Sequence, residues 1–268
     1  MVEVILRTCT SANVTNSSWK RYVPFTKKEI VLGCVASLFS ALQKLKQECP
    51  VRITILDDGS DEESLELIEK LASQKHVEIN LQKLNGVGFN KSALLQFDHC
   101  RQSQAQYVYS VEDDYLHTPD SLLAMYFDIQ HFEKQTQAST QRPLVALHPF
   151  DDPFTYYHTD KMSNSKVVLG NHTHWRTNTF STNTLFTKPE VFKTHWAPFE
   201  KLANGYGDGK TNEHTTINLL WNNGIDRLGP VFLFTPIPSL ALHLSYNNEP
   251  PFINWREWWK AYSKLESK

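Results

Sequence analysis

Two acidic clusters are the residues of this chain best suited to chemistry: Asp57-Asp58, and further along Glu112-Asp113-Asp114. Each follows a β-prone run, Val51–Leu56 and Tyr107–Val111. Ligands of open parallel sheets bind beyond the carboxyl ends of the strands, so both clusters would face one crevice. Carboxylates held this close repel one another unless they share a cation. The pattern therefore predicts one site built around a hard divalent metal. The competing reading of Asp57-Asp58-Gly59-Ser60 is plain turn chemistry with helix capping. An EF-hand loop starting at Asp57 fails, because Glu62 stands where glycine is required. No Gly-x-x-x-x-Gly-Lys-Ser/Thr loop occurs, and Gly86-Val87-Gly88 lacks the third glycine of a dinucleotide fingerprint.

The elements that must position these residues alternate strand and helix. Val2–Leu6 reads as a first strand. Lys27–Glu48 places Ile30, Val31, Cys34, Val35, Leu38, Phe39, Leu42 and Leu45 on one helical face. Thr26 with Glu29 forms a capping box for that helix, and Pro50 stops it. Ser60 with Glu63 predicts a second capping box, Val77–Leu81 a third strand, and Asn90–Arg101 a third helix. Thr118-Pro119 predicts a helix start with proline at the first position. Thr211 or Asn212 would cap a late helix ending at Asn223-Gly224. Trp255–Leu265 reads as an amphipathic helix with Trp255, Trp258, Trp259 and Tyr262 on one side. Strands alternating with helices predict a mostly parallel sheet with right-handed crossovers.

Composition narrows the classes further. The chain has 268 residues, is 40% hydrophobic and 21% charged, and carries a formal net charge of −2. That is enough chain for a sizeable core, and the near-neutral balance gives no basic footprint for nucleic acid. No uninterrupted apolar run is long enough to span a membrane, and Met-Val-Glu-Val-Ile-Leu-Arg is a poor secretory leader, so a cytoplasmic protein is expected. Cys9, Cys34, Cys49 and Cys100 are widely spaced, as expected of unpaired thiols in a reducing compartment.

Ile55-Leu56-Asp57-Asp58-Gly59-Ser60-Asp61-Glu62-Glu63, followed by Val111-Glu112-Asp113-Asp114-Tyr115-Leu116-His117-Thr118-Pro119-Asp120-Ser121-Leu122-Leu123, resembles the family 2 glycosyltransferases of the GT-A fold. The second string is the more specific, joining a DxD-type acidic motif to a Pro-Asp-x-Leu-Leu helix start. The resemblance covers about residues 1–135 and is loose beyond. It implies a single α/β domain, a GT-A-like Rossmann-type open twisted, mostly parallel sheet flanked by helices. Residues 1–115 would form the nucleotide-sugar half and 116–268 the acceptor half. The implied activity is metal-dependent transfer of a sugar, with inversion, from a UDP-, GDP- or dTDP-sugar to a hydroxyl of a glycan or lipid-linked acceptor. Mn²⁺ or Mg²⁺ would neutralise the departing diphosphate.

By that resemblance Asp114 is the direct metal ligand, Asp113 reaches the ribose or a metal-bound water, and Asp58 accepts from the nucleobase. Thr8 would line the same pocket, with Arg7, Asn90 and Lys91 as phosphate or base contacts. His243 matches, by order, a late metal-binding histidine of GT-A relatives. The family's general base is usually an Asp at a helix start in the second half, and this chain departs from that pattern. Glu213 falls nearest the position, with Asp208 on a glycine-flanked loop as second candidate; Glu213 could equally complement the helix dipole. His148, His158, His172, His174, His195, His214 and His243 crowd the second half. His172-x-His174 on a strand would suit zinc, but a hydrogen-bonding sugar pocket uses the same residue types, with Trp175 stacking on a ring. The C-terminal tryptophans either pack on the domain or lie on a membrane surface, which would suit lipid-linked acceptors. Two rivals are a nucleotidyltransferase, for which Thr8–Thr15 lacks the Gly-rich basic loop, and a non-catalytic carbohydrate-binding descendant.

Overall fold

Strand β1 (Val2–Thr8) is buried along its whole length and pairs in parallel with β2 (Val51–Asp57) on one side and β4 (Tyr107–Glu112) on the other. A strand covered on both faces reads as a nearly unbroken apolar run, as Val2–Leu6 does. The computed structural model describes residues 1–11, 25–139, 144–153, 165–221, 229–244 and 249–263. Strand β3 (Ile79–Lys83) extends the parallel set beyond β2. Helices α1 (Lys27–Leu45), α2 (Glu62–Gln74) and α3 (Phe89–Gln102) follow β1, β2 and β3 in turn, close to the expected bounds. The Thr26–Glu29 capping box forms as read from the sequence.

Past β4 the sheet continues as β9 (Leu185–Thr187), β6 (Leu144–Leu147), β10 (Val231–Ile237), β8 (His174–Thr177) and β7 (Val167–Leu169). Only β9 and β8 oppose the direction shared by the other strands of this nine-stranded sheet, so it is α/β and mostly parallel, as expected. Two apolar layers cover its faces. One contains α1, α2 and α4 (Ser121–Ser139); the other contains α3, α5 (Pro189–Thr194) and α6 (Trp196–Gly205). A separate antiparallel ribbon joins β5 (Tyr115–His117) to β11 (Ala241–His243).

Three local expectations need correcting. Helix α2 is capped by Asp61, whose carboxylate accepts the Ser64 N–H at 2.9 Å; Ser60 instead turns its hydroxyl to Asp57, so the Ser60–Glu63 box does not form. Helix α4 begins at Ser121, which leaves Pro119 outside it. The late helix is two short 3-10 turns, Glu213–Thr215 and Ile217–Leu220. Asn212 caps the first, but Thr215 and Thr216 spend their hydroxyls on the Asn212 carbonyl, a competition that disfavours a continuous helix. Its expected end at Asn223-Gly224, like His158, lies outside the described residues.

Helix α7 (Trp255–Tyr262) lies against α1, with Trp255 and Trp259 buried. Those two rings belong to the core, so the side of the helix that was a candidate for lipid contact is taken. A Cβ on Gly33 of α1 would stand 2.8 Å from the Trp259 ring. Gly33→Ala should therefore cost about 1–3 kcal/mol, read as a lower urea midpoint with unchanged slope. A midpoint equal to that of the wild type would mean that the two helices separate freely. Among the described residues no helix is long and apolar enough to cross a membrane.

Two buried histidines give the fold a pH dependence. His117 shares a hydrogen bond with the Tyr109 hydroxyl at 2.7 Å, and His148 Nδ1 bonds the Thr184 carbonyl at 2.8 Å. Burial lowers both to about 4, against 6.5 in an unfolded chain. Between those values the unfolded state binds more protons than the native one, so stability falls as pH drops from 6.5 towards 4. At pH 5 each should cost about 1–2 kcal/mol relative to pH 7.5, measurable by denaturant titration. A flat profile across that window would show that neither ring is held neutral by the fold. The four cysteines are unpaired, with Cys34, Cys49 and Cys100 buried.

Candidate active site

The parallel register sets the site. Thr8 lies opposite Asp57, and Arg7 lies between Leu56 and Glu112, so the acidic ends of β2 and β4 flank the end of β1. Asp57 is buried and inward-facing; it accepts from the Thr8 hydroxyl at 2.8 Å and from the Gly59 and Ser60 amides at 3.2 and 3.0 Å. That geometry closes the turn. Asp58 points the other way and accepts the Val87 and Gly88 N–H groups at 2.6 and 2.8 Å, fastening the glycine loop that precedes α3. Gly88 has a φ of 87°, a left-handed conformation that favours glycine.

Asp114 follows β4 and leads directly into β5. The β5–β11 ribbon pairs Tyr115 with His243, and the Leu244 N–H donates to the Asp114 carbonyl at 2.9 Å. Pairing between residues far apart in sequence thus brings His243 Nε2 to 3.2 Å from Asp114 Oδ2, both side chains being largely buried. The His243 ring lies flat on Tyr115, with centroids 4.6 Å apart and planes at 11°. Burial alone would lower the His243 pKa, but the Asp114 carboxylate and Glu112 more than offset it and leave it raised.

Around this pair stand further charges, of which only Lys27 had no role assigned from the sequence. Arg7 donates to Glu112 at 3.0 Å and lies 4.1 Å above the Phe89 ring, so it braces β1 and α3. Burial raises the Glu112 pKa, with Arg7 opposing, and the balance stays above the usual carboxylate range. Asn183 adds a 3.4 Å bond to Glu112, and Thr182 bonds the Tyr115 hydroxyl at 2.6 Å. Asp113 accepts the Cys9 N–H at 2.9 Å and pairs with Lys27 at 2.5 Å. Burial pulls the Lys27 pKa down, yet Asp113 and Asp114 overcome it and the ammonium ends up raised. Lys27 was visible only as a helix start. A cation in the first turn opposes the helix dipole, but Lys28 beside it does so equally, so the sequence did not single Lys27 out.

Asp58, Asp113, Asp114 and His243 are thus gathered at one end of the sheet. Thr8 is not part of any surface: its side chain is fully buried on Asp57. Asn90 uses its amide on the Asn204 and Tyr206 carbonyls at 3.4 and 3.1 Å, while Lys91 is exposed on α3. Trp175 must be withdrawn as a sugar platform, because the whole residue is buried and its indole N–H donates to Asp128 at 2.7 Å. Asp128 also accepts the Asn171, His172 and Thr173 amides, which makes this turn structural. His172 sits in that turn, stacked on Phe127, rather than on β8 with His174.

The two base candidates differ in how they are held. Asp208 is exposed and accepts from the Lys210 and Thr211 amides at 2.7 and 2.6 Å and from the Thr211 hydroxyl. Those amide bonds, that from Thr211 first, lower its pKa. Glu213 is half-buried in the first 3-10 turn. The 3-10 turns contact the segment that leads to Thr182 and Asn183: Phe180 meets the His214 ring at 4.9 Å, and the Ser181 N–H donates to Asn218 at 3.1 Å.

With this geometry in view, residues 23–182 match the family model described as Glycosyl transferase family 2, more than half of the chain. The chain belongs to glycosyl transferase family 2. The matched stretch spans the acidic ends of β2 and β4 together with Lys27, and stops short of Glu213 and His243. Among curated proteins no sequence matches. TarS from S. aureus is similar in structure at 14% identity and a TM-score of 0.47, over 87% of this chain and 36% of that one. The mannosyltransferase PcManGT from Pyrobaculum calidifontis, solved with GDP-Man and Mn²⁺, is 13% identical with a TM-score of 0.46, over 87% and 56%. HddC from Yersinia pseudotuberculosis is 10% identical with a TM-score of 0.42 over the full length of both. The family 2 chain described here thus spans little more than half of PcManGT and about a third of TarS.

Proposed function

We propose that the chain is a metal-dependent glycosyltransferase that moves one sugar, with inversion, from a nucleotide-sugar donor to an acceptor hydroxyl of a glycan or lipid-linked molecule. The observation that carries this reading is the meeting of Asp114 and His243 at 3.2 Å, beside Glu112 and Asp113, at the carboxyl end of a family 2 sheet. A carboxylate oxygen suits either Mn²⁺ or Mg²⁺, and the imidazole nitrogen beside it favours Mn²⁺, since Mg²⁺ takes oxygen ligands. Among the described residues no group of three His, Cys, Asp or Glu side chains is clustered to hold a metal. A cation at this pair would draw its remaining ligands from water and the donor's phosphates. When bound, such an ion lends positive charge to the leaving diphosphate.

The chain's own residues do the rest. Residues 1–115 would bind the nucleotide, with Asp58 holding the 85–88 loop against the base pocket and Asp113 directed to the ribose. Residues 116–268 would bind the acceptor. Glu213 is the better base: among the described residues no hydrogen bond from its own loop holds its carboxylate, whereas two amides hold that of Asp208. Glu213 would take the proton from the attacking hydroxyl as the anomeric bond to the diphosphate breaks. Release of nucleoside diphosphate from UDP-, GDP- or dTDP-sugars with Mn²⁺, and its loss in EDTA, tests the assignment. Sugar binding without release under any of these conditions would favour a carbohydrate-binding descendant instead.

A further inference from the structure

Lys27 is oddly placed for a surface lysine. It occupies the first position of α1, where the helix dipole disfavours a cation, and only 17% of its side chain is exposed. Its Nζ lies 2.5 Å from Asp113 Oδ1, and Asp113 is itself only 12% exposed and held from behind by the Cys9 N–H. Its neighbour Lys28 has ordinary surface partners, Asp61 and Glu63, at side chains 49% and 75% exposed. Two successive lysines at one helix start thus serve different ends. Lys28 staples α2, while Lys27 reaches the acidic pair at the end of β4.

Resting on the function proposed above, we propose that Lys27 is a tethered counter-cation of the Asp113–Asp114 pair, competing with a divalent cation before the nucleotide binds and turning to the diphosphate once it has. The reasoning is electrostatic. Two adjacent, largely buried carboxylates are costly without nearby positive charge, and in this structure side chains of the protein itself face them, Lys27 at Asp113 and His243 at Asp114. A divalent ion arriving alone meets a site already part-neutralised and repelled by the ammonium. A diphosphate brings the negative charge that draws the ammonium off Asp113. Metal and nucleoside diphosphate should therefore bind with positive coupling, each tightening the other by one factor, and Lys27 should carry much of that factor.

The test is calorimetric titration of the full chain with Mn²⁺ alone, with UDP or GDP in EDTA, and with Mn²⁺ at saturating UDP or GDP. Wild type should bind Mn²⁺ weakly alone and markedly tighter with the nucleotide. Lys27→Met should bind Mn²⁺ alone roughly tenfold tighter, because one nearby repulsive charge is gone. It should bind the nucleotide in EDTA roughly tenfold more weakly and lose most of the coupling. Lys27→Arg should restore both, which a purely packing role of the lysine stem would not require. If Lys27→Met weakens Mn²⁺ binding, or leaves all three titrations as in wild type, the inference is wrong. If wild type itself binds neither Mn²⁺ nor any nucleotide, the glycosyltransferase reading fails first and takes this inference with it. Circular dichroism melting of each variant ensures that a folded protein is being titrated.

Discussion

Asp114→Asn should reduce Mn²⁺-dependent release of nucleoside diphosphate by roughly a thousandfold in kcat/KM, the equivalent of about 4 kcal/mol of lost charge stabilisation. The substitution keeps the shape of the side chain and removes its charge. It also leaves untouched the Leu244 N–H bond to the Asp114 carbonyl, and with it the β5–β11 ribbon that presents His243. The fold should survive, with thermal unfolding within a few degrees of wild type. Mn²⁺ affinity in the presence of nucleotide should fall in parallel with turnover. His243→Gln should do less, roughly ten- to a hundredfold, because one neutral ligand is lost while the carboxylate remains. Turnover within a few-fold of wild type for Asp114→Asn would remove this residue from the reaction.

Glu213→Gln should lower kcat by roughly 10²–10⁴-fold and leave donor affinity within a few-fold, the split expected when only a proton acceptor is lost. Asp208→Asn provides the contrast. The Asp208 carboxylate is bound to two amides and a hydroxyl of its own loop, and its pKa is lowered by them, so it is a weak proton acceptor. Asparagine retains the oxygen that accepts the Lys210 and Thr211 amides, so the loop should persist and kcat should stay within a few-fold. Should Asp208→Asn, rather than Glu213→Gln, collapse kcat, the base is Asp208. A pH–rate profile sharpens the comparison: the ionisation that sets the acidic limb in wild type should vanish in Glu213→Gln and persist in Asp208→Asn.

The N-terminal half could be read closely because its signals are local. Val2–Leu6 of β1 is nearly all apolar because the strand is buried on both faces, and the Thr26–Glu29 box is a contact within one turn. The errors came where local chemistry offered two equal choices. Ser60 and Asp61 are both good caps, and the tie was broken by Asp57, which accepts the Ser60 hydroxyl and leaves Asp61 to the helix. At Thr215–Thr216 the hydroxyls took the backbone carbonyl that a helix would have needed. Trp175 failed for another reason. Its surroundings in sequence are polar, but Asp128, from α4, reaches across to bond its indole N–H within the core.

Residue types and their local spacing were enough to reveal the acidic ends of β2 and β4 and the alternation that builds the parallel half of the sheet; the family came from the resemblance of the strings 55–63 and 111–123 to known motifs. The first two depend on side-chain periodicity and on contacts a few positions apart. Which carboxylates close turns and which face the crevice was decided only by strand register, since a shift of one residue exchanges the two faces of a strand. The meeting of Asp114 with His243, the withdrawal of Thr8 and Trp175 into the interior, and the placement of Lys27 against Asp113 come from the packing of elements distant in the chain. Such contacts form because burying apolar surface brings these elements together, and that total is a property of the whole chain rather than of any window within it.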